Sequence, residues 1–385
     1  MLKTSESALQ ELTPISKNYS IKLSNYIKQK IHKSGGMISF ATFMQSALYA
    51  KNLGYYNNKV CVKFGKNGDF ITAPMLGELF AHCVANQCSE IFNNITEHNI
   101  LELGSGDGQL AYQLIKLLTS KSISKYNNIH LDNYLILEPS KELRCRQKKL
   151  LLNSNLDPIY KNKLYWIEKL PENFKGIILA NEVLDALPVH LFKIKNNQIF
   201  EISVTLKEHN FCFITTKAPT NILNKIIKLP IANYNYTQQA YTSEICLLIP
   251  DLIQSLSKSL KQGSILLFDY GFLEHEYYHP DRSSGTLMCH YRHQTHTDPF
   301  FLPGLQDITA HVDFSMVIQS ATTNGLIVES FASLANFLIA NNLEFFFTRQ
   351  SNNTNPSYKV HQELGVLMSP AEMGEIFKVL HLKKK

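Results

Sequence analysis

The sequence predicts an α/β protein with a mostly parallel, doubly wound sheet of seven strands. Three observations predict it. Short apolar runs alternate with stretches whose apolar residues recur every three or four positions, the pattern of strand and amphipathic helix in turn. The first of these runs, NILELG (99–104), ends in a glycine-rich turn that opens a helix. The next, YLILEP (134–139), ends in an acid, Glu138.

Each element follows from its pattern. Ile21, Ile27 and Ile31 set a helix over 20–32, and Ser39 caps a second, whose Phe40, Phe43, Met44, Ala47 and Leu48 share one face. An irregular tract from Asn52 to Pro74 contains GDFITAP (68–74). Leu76, Leu79, Phe80, Cys83, Val84, Cys88, Ile91 and Phe92 then mark a buried helix, with both cysteines as packing residues. After NILELG, a helix carries Leu110, Leu114, Ile115, Leu117 and Leu118. LYWI (164–167) and GIILAN (176–181) are further strands, and the basic stretch from Arg144 to Lys149 is a solvated helix face. LFKIKN, QIFEISVTL and FCFITTK, between 191 and 217, break the alternation as antiparallel strands, turning at Asn196–Asn197. Helix resumes through Leu252, Ile253, Leu256 and Leu260, with Gly263 expected at its end. SILLFDYG (264–271) is the fifth strand of the sheet, with LIVESF (326–331) and ELGVLM (363–368) as the sixth and seventh. Helices are expected around 314–323 and 333–342.

Composition narrows the class. Hydrophobic residues make up 44% and charged residues 18% of the 385, which excludes disordered, collagen-like and coiled-coil chains. A net charge of +6, from 38 basic and 32 acidic residues, is mild at this length and argues for no nucleic-acid partner. Seven cysteines, an odd number with no CxxC pair, speak against a disulfide framework or structural zinc and favour a reducing compartment. The N-terminal stretch reads as neither secretory nor transit peptide, and no apolar run approaches the ~18 residues a membrane span needs. A cytoplasmic protein without membrane insertion is expected.

The strongest motif is Glu102-Leu103-Gly104-Ser105-Gly106-Asp107-Gly108. Glycine at every second position after an acid matches the cofactor loop of Rossmann-like S-adenosylmethionine (SAM) methyltransferases better than the GxGxxG of dinucleotide enzymes. Gly104 and Gly106 allow the backbone to approach the ligand. Glu102 would hold the cofactor's amino group, and Glu138 the ribose hydroxyls. The strand GIILAN ends in Asn181, followed by Glu182 and Asp185. No Pro-Pro follows Asn181, which disfavours methylation of a small base. Two carboxylates suit a guanidinium, which they bind through paired hydrogen bonds. Arginine methyltransferases of this fold use an acid pair after the same strand.

These residues resemble the MidA family, which includes the mitochondrial complex I assembly methyltransferase. The resemblance runs through GDFITAP, ELGSGDG (102–108), ANEVLDALPV (180–189), LLFDYG (266–271), the long segment GTLMCHYRHQTHTDPFFLPGLQDITAHVDF (285–314) and MGEIFKVL (373–380). It implies a class I SAM methyltransferase fold with an N-terminal helical region and an inserted β-rich lobe. It also implies symmetric methylation of protein arginine, with S-adenosylhomocysteine as product and no metal. Carried over, Glu102, Gly104 and Gly106 bind cofactor; from their places at strand ends, Glu138 and Asn181 are expected on the cofactor as well. Thr72 and Pro74 belong to a loop closing over it, and Glu182, Asp185, His311 and Asp313 serve the substrate side. The chain then divides into an N-terminal region (1–94), a methyltransferase core (95–190 and 249–385) and the inserted lobe on the substrate side (191–248). The family usually has Glu after TAP, FGE a few residues on, and Pro-Gly-Arg-Gly in the cofactor loop. This chain has Met75, Phe80-Ala81-His82 and Ser105-Gly106-Asp107-Gly108.

His290, His293 and His296 tempt a zinc reading, but no strand or helix puts all three on one face, so hydrogen bonding is expected. Asp313 is either a helix cap or a substrate-side group, and His311 either a core histidine or a base. The run FFLPGL (300–305) is either loop core or a homodimer contact. The expected partner is a protein substrate, such as a respiratory-complex subunit. A non-catalytic, SAM-binding assembly factor and an RNA methyltransferase are the alternative functions.

Overall fold

The computed structural model describes residues 12–60, 63, 65, 68–69, 72–120, 129–234, 236–237, 239–351 and 358–384. Cys61, Phe70 and Ile71 lie outside these. The strands, in chain order, are β1 (Met37–Ser39), β2 (Asn99–Leu103), β3 (Asn133–Leu137), β4 (Leu164–Ile167), β5 (Phe174–Asn181), β6 (His190–Lys195), β7 (Gln198–Lys207) and β8 (Asn210–Lys217). They continue as β9 (Tyr241–Ile245), β10 (Leu260–Phe272), β11 (Met288–Tyr291), β12 (Gln294–His296), β13 (Asp307–Thr309), β14 (Val312–Asp313), β15 (Leu326–Ser333) and β16 (Phe377–Lys384). The longer helices are α1 (Pro14–Lys33), α2 (Phe40–Tyr49), α3 (Leu79–Phe92), α4 (Gln109–Leu118), α5 (Lys141–Asn153), α6 (Ile249–Ser259), α7 (Phe314–Thr323), α8 (Leu334–Ala340), α9 (Leu343–Ser351) and α10 (Tyr358–Met368).

Two compact units emerge. The first comprises Met1–Phe70, Asp185–Ile249 and Phe272–Ser315; the second comprises Ile71–Leu184, Pro250–Gly271 and Met316–Lys385. Helix α3, grouped by sequence with the N-terminal region, clusters with the second unit, and residues 272–315 with the first.

In the first unit α1 starts six residues before the helix read from sequence. Thr13 Oγ1 accepts the Ser16 N–H at 3.2 Å, and Pro14 sits in the first turn, where its missing N–H costs nothing. Ser39 caps α2 as expected, accepting the Thr42 N–H at 3.1 Å. The inserted strands and β1 of the N-terminal region form a five-stranded sheet in the order β1-β7-β6-β9, with β8 on β7. Its β6–β7 hairpin turns at Asn196 and Asn197, both left-handed at φ 50° and 58°. A three-stranded sheet, β12-β11-β13, carries the histidine segment. Arg292 and His293 form the hairpin tip, and Cys289 faces His296 across it. Phe301, Leu302 and Leu305 are buried together, so FFLPGL is loop core. Phe300 of that run packs edge-on against Phe43 at 5.1 Å.

In the second unit seven strands run in the order β15-β16-β10-β5-β2-β3-β4. The pairs β10–β5, β5–β2, β2–β3 and β3–β4 are parallel, while β16 is antiparallel to both β10 and β15. ELGVLM is not the seventh strand. It lies in α10, with Glu363 and Leu367 buried one turn apart, and β16 takes the place expected for it. Gly263 does not end a helix either. It lies in β10 at φ 122°, where a Cβ would strike the Gly176 carbonyl. Cys83 and Cys88 are fully buried in α3, and His82 stacks on Phe346 at 4.6 Å. Phe268 of β10 is wedged between Phe80 of α3 at 5.4 Å and Phe337 of α8 at 5.3 Å. Among the described residues, no helix is long and apolar enough to cross a membrane.

Phe268→Ala is therefore expected to destabilise the second unit by about 3–5 kcal/mol, and Phe268→Leu by much less. Urea unfolding followed through Trp166, the chain's single tryptophan and a residue of that unit, measures the difference.

Candidate active site

The carboxyl ends of β2, β3 and β5 lie side by side in the second unit. Open α/β sheets bind ligands at such ends, where loops leave the sheet and helix N-termini begin. From β2 the chain enters the glycine turn. The Gly104 N–H donates to the Leu137 carbonyl at 3.1 Å, and the Gly108 N–H to that of Ser105 at 2.8 Å. Gly104, Gly106 and Gly108 all have positive φ, at 58°, 54° and 91°, so side chains there would strain the turn.

Glu102 is 2% exposed and accepts the Tyr134 hydroxyl at 2.7 Å. Burial pushes its carboxyl up to about 7, against the pull of that hydrogen bond. Glu138 is likewise buried and pushed up to about 7 by burial. One of its oxygens accepts the Ser140 N–H at 2.8 Å, and the other the Gln147 amide at 3.3 Å.

Gln147 is a residue that sequence reading missed. It is fully buried, and its amide also donates to the Gly106 carbonyl at 2.9 Å, while its oxygen accepts the Trp166 indole N–H at 3.0 Å. One side chain on α5 thus ties the glycine turn to the acid after β3. Nothing in the sequence marks it except its place on an otherwise basic helix.

The end of β5 presents Asn181 and Glu182. Asn181 Nδ2 donates to Glu182 Oε1 at 3.2 Å, and Asn181 Oδ1 is buried with no hydrogen-bond donor among the described residues. Pro74 is also in this unit. Its carbonyl accepts from Gln113 of α4 at 3.1 Å, which fastens the TAP segment to the helix that leaves the glycine turn. Thr72 precedes the short helix Ala73–Leu76, which contains Met75.

Asp185, His311 and Asp313 belong to the first unit. The Asp185 carbonyl accepts the Ala310 N–H at 3.0 Å, which places it beside the His311 segment. The His311 N–H donates to Thr286 Oγ1 at 2.9 Å, and its ring lies 5.2 Å from that of Phe272. Burial first, then the charges of Arg282 and His290, push His311 down to about 4, so it is neutral at physiological pH. Asp313 is 5% exposed in β14. Thr286 is in turn held by Glu244, a buried acid that also takes the Tyr277 hydroxyl at 2.9 Å. Neither Glu244 nor Thr286 stood out in the sequence.

The chemistry of the second-unit site fits SAM. Two buried carboxylates, short of positive charge, and an open amide oxygen suit a ligand that brings an ammonium and a ribose diol. Among the described residues, no three metal-ligating side chains come together.

This fold and this site define a SAM-dependent methyltransferase. Comparison with known proteins agrees. Residues 83–332 match the model of a family of S-adenosyl-L-methionine-dependent methyltransferases. A Burkholderia thailandensis protein crystallised with S-adenosyl-homocysteine is 32% identical, with a TM-score of 0.88 over 97% of this chain and 94% of that one. The protein arginine methyltransferase NDUFAF7, mitochondrial, of Homo sapiens is 26% identical over 405 residues, 97% of this chain and 84% of the relative. Its Danio rerio counterpart is 26% identical over 371 residues, 89% of this chain and 82% of the relative. The chain belongs to this methyltransferase family, the MidA family, and its cofactor is SAM.

Two outcomes are expected for cofactor binding. Glu102 and Glu138 accept hydrogen bonds best as anions, so affinity for S-adenosylhomocysteine falls as pH drops through about 7, by roughly tenfold per group between about pH 8 and about pH 6. Calorimetry across this range, with Glu102→Gln losing part of the dependence, checks it. Gln147→Leu leaves the Gly106 carbonyl and Trp166 N–H unpaired and weakens the same binding about tenfold.

Proposed function

We propose that the enzyme methylates an arginine side chain of a partner protein and yields the symmetric product. The observation that carries this reading is Glu182, whose carboxylate is oriented by Asn181 at the end of β5, directly after the strand flanking the glycine turn. SAM, when bound, supplies a methyl group on a sulfonium sulfur. Glu182 accepts N–H groups of the substrate guanidinium, localises its positive charge on the nitrogens it binds, and takes up the proton released as the N–C bond forms and the C–S bond breaks. Asp185 is the second carboxylate of the pair in sequence, three residues on. His311 and Asp313 are assigned to the substrate side, and Thr72 and Pro74 to covering the cofactor. A neutral His311 suits a cationic substrate, which a protonated imidazole would repel. The names of the relatives support arginine as acceptor. The family resemblance supports symmetric methylation and a respiratory-complex subunit as client, and the sequence reading a cytoplasmic enzyme.

The departure at Met75 favours one second reading, a SAM-binding assembly factor that performs no transfer. Labelled SAM and the purified enzyme, added to lysate of cells lacking it, separate the two. The expected result is one labelled protein containing symmetric dimethylarginine by mass spectrometry, with Glu182→Gln lowering the label about 100-fold or more. Label in nucleic acid or small molecules overturns the acceptor class, and no label despite intact cofactor binding favours the assembly factor.

A further inference from the structure

We propose that Asp269 is the positioning residue that sets Glu182 for methyl transfer. The inference rests on the reading of Glu182 as the substrate-side acid and supplies what holds that acid in place. Glu182 has φ 53°, in the left-handed region. A glutamate there is strained, and the conformation lasts only where the surroundings over-determine it.

The neighbouring strand provides those surroundings. β5 and β10 run parallel in register, Asn181 beside Phe268, and the chain leaves the sheet at the next residue. The Glu182 N–H donates to the Phe268 carbonyl at 2.9 Å. The next two N–H groups turn onto one carboxylate oxygen, Asp269 Oδ2, from Val183 at 3.2 Å and Leu184 at 2.8 Å. The other oxygen, Oδ1, accepts the Tyr270 N–H at 2.9 Å. Asp269 is 1% exposed, so the clamp works in a dry setting where each hydrogen bond is costly to lose. The turn also seats Val183 against the cofactor loop, where a Cβ on Gly104 would come within 3.1 Å of its Cγ2. Asp269 thereby holds the turn that carries Glu182.

Asparagine is the same size but offers one acceptor oxygen and one amino group. Three backbone N–H groups converge on the carboxylate, so the amino group of Asp269→Asn must oppose at least one of them. The turn then relaxes towards negative φ and swings the Glu182 carboxylate off Asn181.

The test measures label transfer from tritiated SAM to proteins of a lysate lacking the enzyme, and S-adenosylhomocysteine affinity by calorimetry. It uses wild type, Asp269→Asn, Glu182→Gln and the double variant. The expected result is that Asp269→Asn loses about 100-fold in transfer rate while cofactor affinity stays within about threefold. Added to Glu182→Gln, it should cause no further loss, because both changes act through one carboxylate. Intact calorimetric binding also shows that each variant is folded. Near-normal transfer by Asp269→Asn, an equal loss on both backgrounds, or a parallel loss of cofactor affinity each overturns the inference while leaving the role of Glu182 standing. Normal transfer by Glu182→Gln, or no transfer by wild type, overturns the underlying reading and the inference with it.

Discussion

The second unit is organised around buried carboxylates in or just after the strands of its central sheet. Glu102 lies in β2, Glu138 follows β3 and Asp269 lies in β10, and all three are nearly inaccessible. They are held by a tyrosine hydroxyl, a glutamine amide and backbone N–H groups. An acid in such a place keeps its acceptor capacity only if the fold brings neutral donors to it, because an unmatched buried charge would be neutralised by protonation. The glycine turn, the turn after β5 and helix α5 all take their positions from these donors.

The acids divide by how completely they are satisfied. Asp269 accepts three backbone N–H groups. Glu102 accepts the Tyr134 hydroxyl, and burial still pushes it up to about 7.

The sequence made the glycine turn and the acids beside it legible and hid the residues that hold them. The glycine turn could be read because three alternate positive-φ positions demand glycine, and Glu102 and Glu138 because they stand where short apolar runs end. The parallel strands through β10 could be read because buried strands are short apolar runs. The seventh strand could not: in ELGVLM the apolar residues are dense enough for either period, and burial of Glu363 and Leu367 one turn apart decides for helix. Gln147 and Asp269 are single polar residues inside a helix and a strand. Their meaning depends on partners such as Gly106 and Val183, far off in the sequence, which no local pattern encodes.

Departures from the family pattern gain a physical reading on the same terms. The family usually carries an acid directly after TAP, and this chain has Met75. The segment is nonetheless fixed by polar groups from elsewhere. Gln113 donates to the carbonyls of Pro74 and Gly77, and Glu363, buried and pushed up to about 7, accepts the Leu79 N–H at 2.7 Å at the start of α3. The Glu363 carboxylate sits so near Gly77 that a Cβ there would overlap it. Loss of an acid at position 75 therefore removes a charge from the chain without loosening the backbone that follows TAP. Any consequence of Met75 must then act through what that side chain meets rather than through the path of the loop.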